Sequence, residues 1–408
     1  MSIALESIRV LDLSRLLPGP FSTMLLADYG AEVIKIEDTG IGDYARAIHP
    51  KIGEDSAFFH SVNRNKKSMC LDLKSEQGKE IFLKLVEQAD VVLESYRPGV
   101  MDRLGVGYEV LKEINPRLIY CAITGYGQTG PYAKMPGHDL NYISYAGLLE
   151  YLGVSGRKPI VPPIQIADVG GGALMGTIGI LMALFERERS GKGQFIDVSM
   201  MDGVLSLLQV LLPSYLASKE QPERGKMDLS GRKANYEVYE TKDGLYLSVG
   251  ASELKFWEAF CKTIGREEFV QKIHAPTEEQ EYMKVEIQSI IIQKTRQEWV
   301  EIFDGVDTCV SAVNRLEDLE KDPQLIERKM FQTYHDEELG DIKLISPPIK
   351  LSETPGVIWR LAPKPGEHTN ELLSEIGYSE QQIEALMNQR VIKNRANPSN
   401  LKTKGMSI

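Results

Sequence analysis

Residues 117–142 read RLIYCAITGYGQTGPYAKMPGHDLNY and join an apolar run to a glycine-rich loop. The apolar part, 117–124, has the length and composition of a buried β-strand. The loop behind it carries His138 and Asp139 side by side. In α/β enzymes, catalytic and binding residues commonly lie on the loops that follow the strands. This stretch therefore predicts an α/β fold with ionisable groups at the end of a strand.

A second glycine-rich turn, ADVGGG, lies thirty residues further on and contains Asp168. A histidine and a carboxylate, both on loops after strands, indicate acid–base catalysis. Asp168 also precedes an apolar helical run, 169–188, where an aspartate commonly caps the helix. On residue chemistry alone the cap is the better interpretation of Asp168, and a lone loop histidine is more often structural. The two roles of Asp168 are compatible.

Strand-like and helix-like segments alternate through the first half of the chain. This alternation predicts a parallel sheet with helices on both faces, an α/β fold. The predicted strands are 9–13, 32–36, 91–94, 119–123 and 194–198, and the predicted helices are 21–29, 75–88, 110–114 and 170–188.

The composition of the sequence changes after about residue 218, where a polar stretch is followed by a predicted β-hairpin at 236–250. We expect a discontinuous large domain and a smaller α+β domain. The predicted divisions are 1–200 with 330–392 for the large domain, 201–225 for a linker, 226–329 for the small domain, and 393–408 for a disordered tail. A single helix is expected at 370–387.

Composition excludes several classes of protein. The chain has 408 residues and a net charge of −11, which argues against non-specific nucleic-acid binding. The four cysteines are far apart and form no C-x-x-C pair, so we expect no metal site, no disulfide framework and a cytoplasmic location. No signal peptide or peroxisomal tripeptide is recognisable. The apolar runs 173–185 and 204–217 are predicted to be buried helices and not membrane spans.

Familiar cofactor motifs are absent. The first predicted strand is followed by SRLLPGPF, in which Gly19 is the only glycine, so no G-x-G-x-x-G cradles a pyrophosphate. No G-x-x-x-x-G-K-[ST] and no G-x-S-x-G occurs either. We therefore expect no nicotinamide dinucleotide and no prosthetic group.

The chain resembles the family III CoA-transferase/racemase family, most closely its α-methylacyl-CoA racemase branch. Seven pieces carry the resemblance in the family's order: LPGPFSTMLLADYGAEVIKIE (17–37), NRNKKSMCLDLKSEQG (63–78), ESYRPGVMDRLG (94–105), TGYGQTGPYAKMPGHDLNY (124–142), ADVGGG (167–172), SGKGQFIDVSMMDG (190–203) and DGLYLSVGASELKFW (243–257). The resemblance implies a Rossmann-like large domain built from both chain ends, an inserted small domain, and an interlocked homodimer.

The family contains two chemistries that differ near residues 136–139. Its transferases usually read Gly-Tyr-Asp and use the aspartate as a nucleophile, whereas its racemases read Gly-His-Asp. This chain has the racemase form, so the resemblance implies His138 and Asp168 as the two acid–base groups. It further implies that Glu253 shares the proton of Asp168. Asp139 is then a buried hydrogen-bond acceptor, or the nucleophile if the protein is a transferase.

A coenzyme A thioester is the implied substrate, and its phosphates require cations. The densest basic cluster comprises Arg64, Lys66, Lys67 and Lys74, whose alternative interpretation is a solvated surface run. The alternation in KSMCLDLK indicates a strand edge whose backbone binds the adenine, as in the family. The residues assigned to coenzyme A are Leu71, Asp72, Lys74, Arg97, Arg103 and Arg46.

The resulting prediction is epimerisation of 2-methylacyl-CoA thioesters by removal and return of the α-proton. Two alternatives stay open. One is a family III CoA-transferase that forms an acyl anhydride on Asp139, and the other is an acyl-CoA-binding homologue without turnover. The acyl chain and the pathway are not specified by the sequence.

Overall fold

The computed structural model describes residues 3–394, which form two compact units. The larger unit contains the described residues up to Ala146, then Pro163–Leu207, and those from Glu327 onward. The second unit contains Gly147–Pro162 and Leu208–Ile326. Of the predicted tail 393–408, residues 395–408 lie outside the described residues.

The strands follow the chain in this order: β1 Arg9–Asp12, β2 Glu32–Glu37, β3 Lys51–Ile52, β4 Asp55–Ser56, β5 Lys67–Leu71, β6 Val91–Glu94, β7 Ile119–Thr124, β8 Phe195–Ser199, β9 Tyr236–Glu240, β10 Tyr246–Gly250, β11 Val310–Ala312, β12 Phe331–Asp336, β13 Gly340–Ile345 and β14 Ile392–Lys393.

The α-helices are α1 Pro18–Asp28, α2 Ala57–Asn63, α3 Glu76–Val86, α4 Val100–Arg103, α5 Tyr108–Ile114, α6 Asp139–Tyr145, α7 Met175–Ser190, α8 Met200–Ser206, α9 Leu211–Ser218, α10 Leu254–Thr263, α11 Thr277–Ile291, α12 Arg296–Phe303, α13 Leu316–Leu319, α14 Pro323–Glu327, α15 Thr369–Glu375 and α16 Glu380–Asn388. Short 3-10 turns occupy Tyr44–Ala47, Leu149–Tyr151 and Glu267–Lys272, and a π-helical segment, Ile166–Leu174, leads directly into α7.

The larger unit is built on a sheet with the order β14-β5-β2-β1-β6-β7-β8. All neighbours are parallel except the pair β14 and β5. In the central strand, Leu11 lies opposite Ile34 of β2 and Val92 of β6. When the six parallel strands are numbered by their order along the chain, they lie across the sheet in the order 3-2-1-4-5-6. This is the order of Rossmann folds, and its direction reverses between β1 and β6.

Both faces of the sheet are covered, as the apolar runs of its strands require. One face packs against apolar side chains of α3, α5, α15 and α16, including Phe82 and Leu372. The other face meets α1 and α7, and there Gly176 of α7 approaches β7 so closely that a Cβ would lie 2.7 Å from Ile123 Cδ1. The predicted α/β class with a parallel sheet is confirmed.

The second unit has its own core. The predicted hairpin is present as the antiparallel pair β9 and β10, and β11 extends it on the β10 side. Helices α10, α11 and α12 bury Trp257, Met283 and Trp299 against this small sheet. Both indole N–H groups donate to backbone carbonyls, Trp257 to Phe269 and Trp299 to Ile291.

Three helix predictions were wrong in detail. The helix expected at 370–387 is two helices, α15 and α16, because Gly377 has a positive φ of 89° and ends the first. The run 204–217 is not one buried helix, because it is divided between the two helices α8 and α9 and no residue of α9 is buried. The helix expected at 170–188 begins four residues earlier, at Ile166.

The continuous helix Ile166–Ser190 is also not buried on all sides. Residues Leu174, Ile178, Leu181, Met182 and Phe185 form an exposed apolar stripe on it, with Met182 67% and Phe185 81% exposed. By length and composition this is the single unbent helix of residues 3–394 that could cross a membrane, a criterion that core helices of soluble proteins also meet.

Candidate active site

A cleft of about 230 Å³ lies at the point where the strand order reverses. Its walls come from the segments after β1, β6 and β7, so it occupies the place where open α/β sheets bind ligands. The lining includes Arg15 and Leu16 after β1, Tyr96 and Arg97 after β6, and Tyr126 after β7. His138 and Asp168 complete it.

The loop after β7 is shaped by tight packing around two glycines. A Cβ on Gly125 would lie 2.3 Å from the ring of Tyr142, and one on Gly137 would lie 2.7 Å from the same ring. The Tyr142 hydroxyl donates to the carbonyl of Gly137, which fixes the turn before α6. His138 follows that turn and is exposed, and its backbone N–H donates to Oδ1 of Asn141.

Asp168 enters the cleft on the first turn of the π-helical segment. The segment can lie close to α8 because both elements carry glycine at the crossing: a Cβ on Gly171 would be 2.4 Å from the carbonyl of Met200, and one on Gly203 would be 2.2 Å from the carbonyl of Gly171. Single π turns inside helices occur frequently at functional sites. Because the helix begins at Ile166, Asp168 lies inside the helix, and the interpretation of Asp168 as its N-cap was wrong.

The side chain of Asp139, at the start of α6, accepts hydrogen bonds from the π-helical segment that carries Asp168. Its Oδ1 accepts the backbone N–H of Ala167 at 2.6 Å and that of Asp168 at 3.0 Å. Burial, and secondly the negative charge of Asp139, raise the pKa of the Asp168 carboxyl to about 7. Near neutral pH, Asp168 is therefore available both as a base and as an acid, which is what proton transfer at carbon requires.

Glu253 belongs to the second unit, where it is exposed immediately before α10. Its predicted sharing of a proton with Asp168 stays a prediction. Within residues 3–394, no group of three or more His, Cys, Asp or Glu side chains is arranged to hold a metal ion.

The residues assigned to coenzyme A fall into different environments. Arg97 is exposed and lines the cleft, while Arg103 is exposed at the end of α4. Leu71 is buried at the end of β5, and the exposed Lys74 follows it. Asp72 is half-buried and accepts the backbone N–H of Lys74 on Oδ1. Their contacts with coenzyme A stay predictions.

Arg46 lies in the protein interior and is only 6% exposed. Its guanidinium bonds Glu37 at 2.6 and 2.8 Å and Asp55 at 2.8 Å, and it stacks on the ring of Phe59. These contacts occupy the donors that a phosphate would need. They also occupy Glu37 at the end of β2, the position from which an acid binds the ribose in dinucleotide enzymes.

Two expectations about the basic segment were wrong. Arg64 pairs with Asp28 at 2.7 Å, Lys66 with Asp12 at 3.1 Å, and Lys67 with Glu32 at 2.7 Å, so these cations hold neighbouring elements together and form no exposed cluster. The strand edge expected in KSMCLDLK is also not free. Strand β14 pairs with β5 there, and the backbone N–H of Asp72 donates to the carbonyl of Val391.

Sequence reasoning missed Arg15 and the tyrosines of the cleft. Arg15 pairs with Asp38 at 3.0 Å and lies over the rings of Tyr44 and Tyr96. Its position three residues after a buried strand was the available signal, because the ends of strands next to a reversal of order line the ligand cleft. The strand order itself was not readable from the sequence.

Comparison with known proteins agrees with this architecture. Residues 5–369 match the profile of CoA-transferase family III. A CAIB/BAIF family protein from Brucella suis superposes with a TM-score of 0.82 at 30% identity, covering 92% of this chain and all of that one.

The chain belongs to CoA-transferase family III, whose enzymes act on CoA thioesters. Alpha-methylacyl-CoA racemase from Homo sapiens is 36% identical over 96% of this chain and 98% of its own length. Succinyl-CoA:glutarate CoA-transferase from Homo sapiens is 32% identical over 95% of this chain and 90% of its own. A racemase and a CoA-transferase among the relatives therefore have similar sequence identity to this chain.

Proposed function

We propose that this protein epimerises 2-methylacyl-CoA thioesters by moving the α-proton between the two faces of the carbon. The observation that supports this most is the placement of His138 and Asp168 in one cleft, with the pKa of Asp168 raised to about 7. Two groups that exchange protons near neutral pH are the requirement of such a reaction. A metal has no part in the scheme.

In the proposed reaction, one of the two groups removes the α-proton while the other is protonated. The electron pair of the C–H bond forms a carbon–carbon double bond, and the carbonyl pair moves to the thioester oxygen to give an enolate. The second group then delivers a proton to the opposite face and the carbonyl is restored. Glu253 is proposed to share the proton of Asp168, as the resemblance to the racemases implies.

Coenzyme A is proposed to bind along the carboxyl edge of the sheet. Arg97 in the cleft and Arg103 nearby would pair with its phosphates, because guanidinium groups form charge-assisted hydrogen bonds with phosphate oxygens. Leu71, Asp72 and Lys74 at the end of β5 would contact the adenosine end. Arg46 would act on this site only indirectly, through the fold of the segment around Glu37.

CoA transfer through Asp139 is the second candidate, and the transferases among the relatives support it. The geometry supports it less. Asp139 does not line the cleft, and its Oδ1 is occupied by two backbone N–H groups of the next helix. A nucleophile needs an oxygen directed at the acyl carbon.

The two chemistries differ in whether a covalent adduct forms on the enzyme. Wild-type protein is incubated with acyl-CoA and hydroxylamine, and peptides containing Asp139 are examined by mass spectrometry. The proposal expects no hydroxamate on Asp139 and expects Asp139→Asn to keep measurable turnover. A hydroxamate at that position, together with an inactive Asp139→Asn and an active His138→Ala, would establish the transferase instead.

We further propose a homodimer in the cytoplasm. The exposed stripe around Met182 and Phe185 supports the dimer, because single proteins rarely leave a continuous apolar helix face in water. The helix that carries this stripe packs on the sheet through Gly176. Its exposed face therefore has a fixed position, against which a second copy would pack.

A further inference from the structure

Two buried hydroxyl groups in the cleft have no hydrogen-bond partner within residues 3–394. They are Oγ1 of Thr124 and the phenol oxygen of Tyr126. Thr124 is 5% exposed and Tyr126 is 7% exposed. Buried polar groups are nearly always paired in native structures, so an unpaired pair of this kind calls for an explanation.

Both hydroxyl-bearing residues line the same cleft as His138 and Asp168. Thr124 is the last residue of β7, and Tyr126 follows after a single glycine. A Cβ on Gly137 would lie 2.9 Å from the Tyr126 oxygen, so that oxygen reaches the turn directly before His138. The absence of a side chain at residue 137 leaves the space in which the hydroxyl lies.

The ring of Tyr126 is held firmly. It makes edge contacts with Tyr142 at 5.1 Å and with Tyr132 and Tyr145, both at 5.8 Å between ring centres. Tyr142 offers a contrast inside the same cluster, because its hydroxyl donates to the carbonyl of Gly137. The Tyr142 hydroxyl is thus bonded within the fold, whereas the Tyr126 hydroxyl is held in position without a partner among residues 3–394.

The chemistry of the two groups indicates what they would bind. Burial raises the pKa of the Tyr126 phenol, so it stays protonated and is a hydrogen-bond donor at neutral pH. A threonine hydroxyl donates as well. The natural complement is an oxygen that accepts two hydrogen bonds and gains negative charge, and water-excluded donors are most effective toward such an oxygen.

The glycine-rich turn at 170–172 is a poorer source of donors to this cleft. Gly171 and Gly172 are buried, and a Cβ on either would collide with Met200, so these residues face α8. They do not line the cleft.

We propose that the hydroxyls of Tyr126 and Thr124 bind the thioester oxygen of the substrate and stabilise the enolate. This inference rests on the proposed epimerisation. When the α-proton leaves, the carbonyl oxygen receives the electron pair, and the two O–H groups would donate to it and share its charge. When the proton returns, the pair goes back and both hydroxyls keep their protons.

The primary variant is Tyr126→Phe, which removes one oxygen and keeps the ring contacts. The control is Tyr145→Phe, which removes a hydroxyl from the same ring cluster at a residue that is 51% exposed and does not line the cleft. With a 2-methylacyl-CoA in heavy water, kcat for α-deuterium incorporation should fall about 100-fold in Tyr126→Phe with KM little changed, and less than about 2-fold in the control. Thr124→Val should lower kcat in the same direction.

Thermal unfolding separates this role from a structural one. An unpaired buried hydroxyl is unfavourable in the free protein, so Tyr126→Phe should not lower the melting temperature. A lowered melting temperature would mean that the phenol is a structural donor, and would overturn the inference for Tyr126. If kcat were also unchanged in Thr124→Val, the inference would be overturned for both hydroxyls.

A binding comparison needs no turnover. Calorimetry is performed with a 2-methylacyl-CoA thioester and with the matching S-alkyl-CoA thioether, which lacks the oxygen. Tyr126→Phe should weaken binding of the thioester and leave that of the thioether unchanged, and equal changes for both ligands would contradict the proposal. If wild-type protein shows no exchange but this selectivity is present, epimerisation is wrong while the oxygen site stands. If exchange is present and both readouts are insensitive to Tyr126→Phe, the oxygen site is wrong and epimerisation stands.

Discussion

The carboxylate of Asp139 accepts the backbone N–H of Asp168 at 3.0 Å, and through this contact a negative charge lies beside a second carboxyl. Burial is the larger cause and the charge of Asp139 the second cause of the pKa of Asp168 reaching about 7. Asp139, next to the proposed catalytic residue His138, thus has a function in the racemase interpretation without reacting itself. It holds the start of the π-helical segment and raises the pKa of Asp168.

Asp139→Asn tests this tuning. The amide oxygen can still accept both backbone N–H groups, but the charge is gone, so the pKa of Asp168 should decrease. The pH midpoint of α-proton exchange should therefore move to lower pH. Asp197→Asn is a matched control, because Asp197 also accepts a backbone N–H, that of Gln128. An unmoved midpoint in Asp139→Asn would refute the electrostatic role.

Asp168→Asn should change stability in a pH-dependent way. Because its folded-state pKa of about 7 exceeds the ordinary value of 3.8, the folded protein keeps a proton that the unfolded chain loses. Asp168 therefore lowers stability progressively as pH rises from about 4 to about 7, and the full cost persists above that range. Urea unfolding should show the variant on the order of 4 kcal/mol more stable than wild type at pH 8, with no difference at pH 3. A gap that is the same at both pH values would contradict the raised pKa.

Arg97→Ala and Arg103→Ala should each weaken coenzyme A binding about tenfold, as expected when a charge-assisted hydrogen bond is lost. Calorimetry at two salt concentrations measures this, and the wild-type affinity should decrease as salt rises. Arg46→Met is the contrasting variant. It leaves Glu37 and Asp55 buried without their partner, so it should reduce the free energy of unfolding by about 3–5 kcal/mol. Unchanged affinity in both exposed-arginine variants would show that the phosphates bind elsewhere.

The stripe on α7 gives a prediction about assembly. Wild-type protein should sediment as a dimer, and Met182→Glu with Phe185→Glu should sediment as a monomer, because two charges would have to be buried at the interface. Leu316→Glu is the control, since Leu316 is 87% exposed but lies in the second unit. A monomeric wild type, or a double variant that stays dimeric, would show that the stripe is not a dimer interface.

The sequence predicted the parallel sheet because the strands are short apolar runs separated by helical ones, and each local pattern agrees with the final fold. It also located His138 and Asp168, since both lie in glycine-rich turns after apolar runs. It failed where long-range partners decide the outcome. The basic segment Arg64–Lys67 looked like a phosphate site, yet its charges pair with Asp12, Asp28 and Glu32, which are distant in sequence.

The same limit explains two other failures. Strand β14 comes from the end of the described chain and covers the edge of β5, and nothing in the alternation of KSMCLDLK reveals that partner. Within the described part of the chain, the hydroxyls of Thr124 and Tyr126 are unpaired and that of Tyr142 is paired, a difference that the sequence does not reveal. Residue type gives the capacity to donate a hydrogen bond, and the fold decides whether that capacity is used.

The proposed epimerisation is tested by following one pure epimer of a 2-methylacyl-CoA in heavy water with wild-type enzyme. Mass and stereochemistry are recorded together, with and without an added carboxylic acid. We expect deuterium at the α-carbon and loss of optical purity, with both rates reduced roughly 100- to 10,000-fold in His138→Ala. Transfer of coenzyme A to the added acid, with the α-proton and the configuration retained, would contradict it.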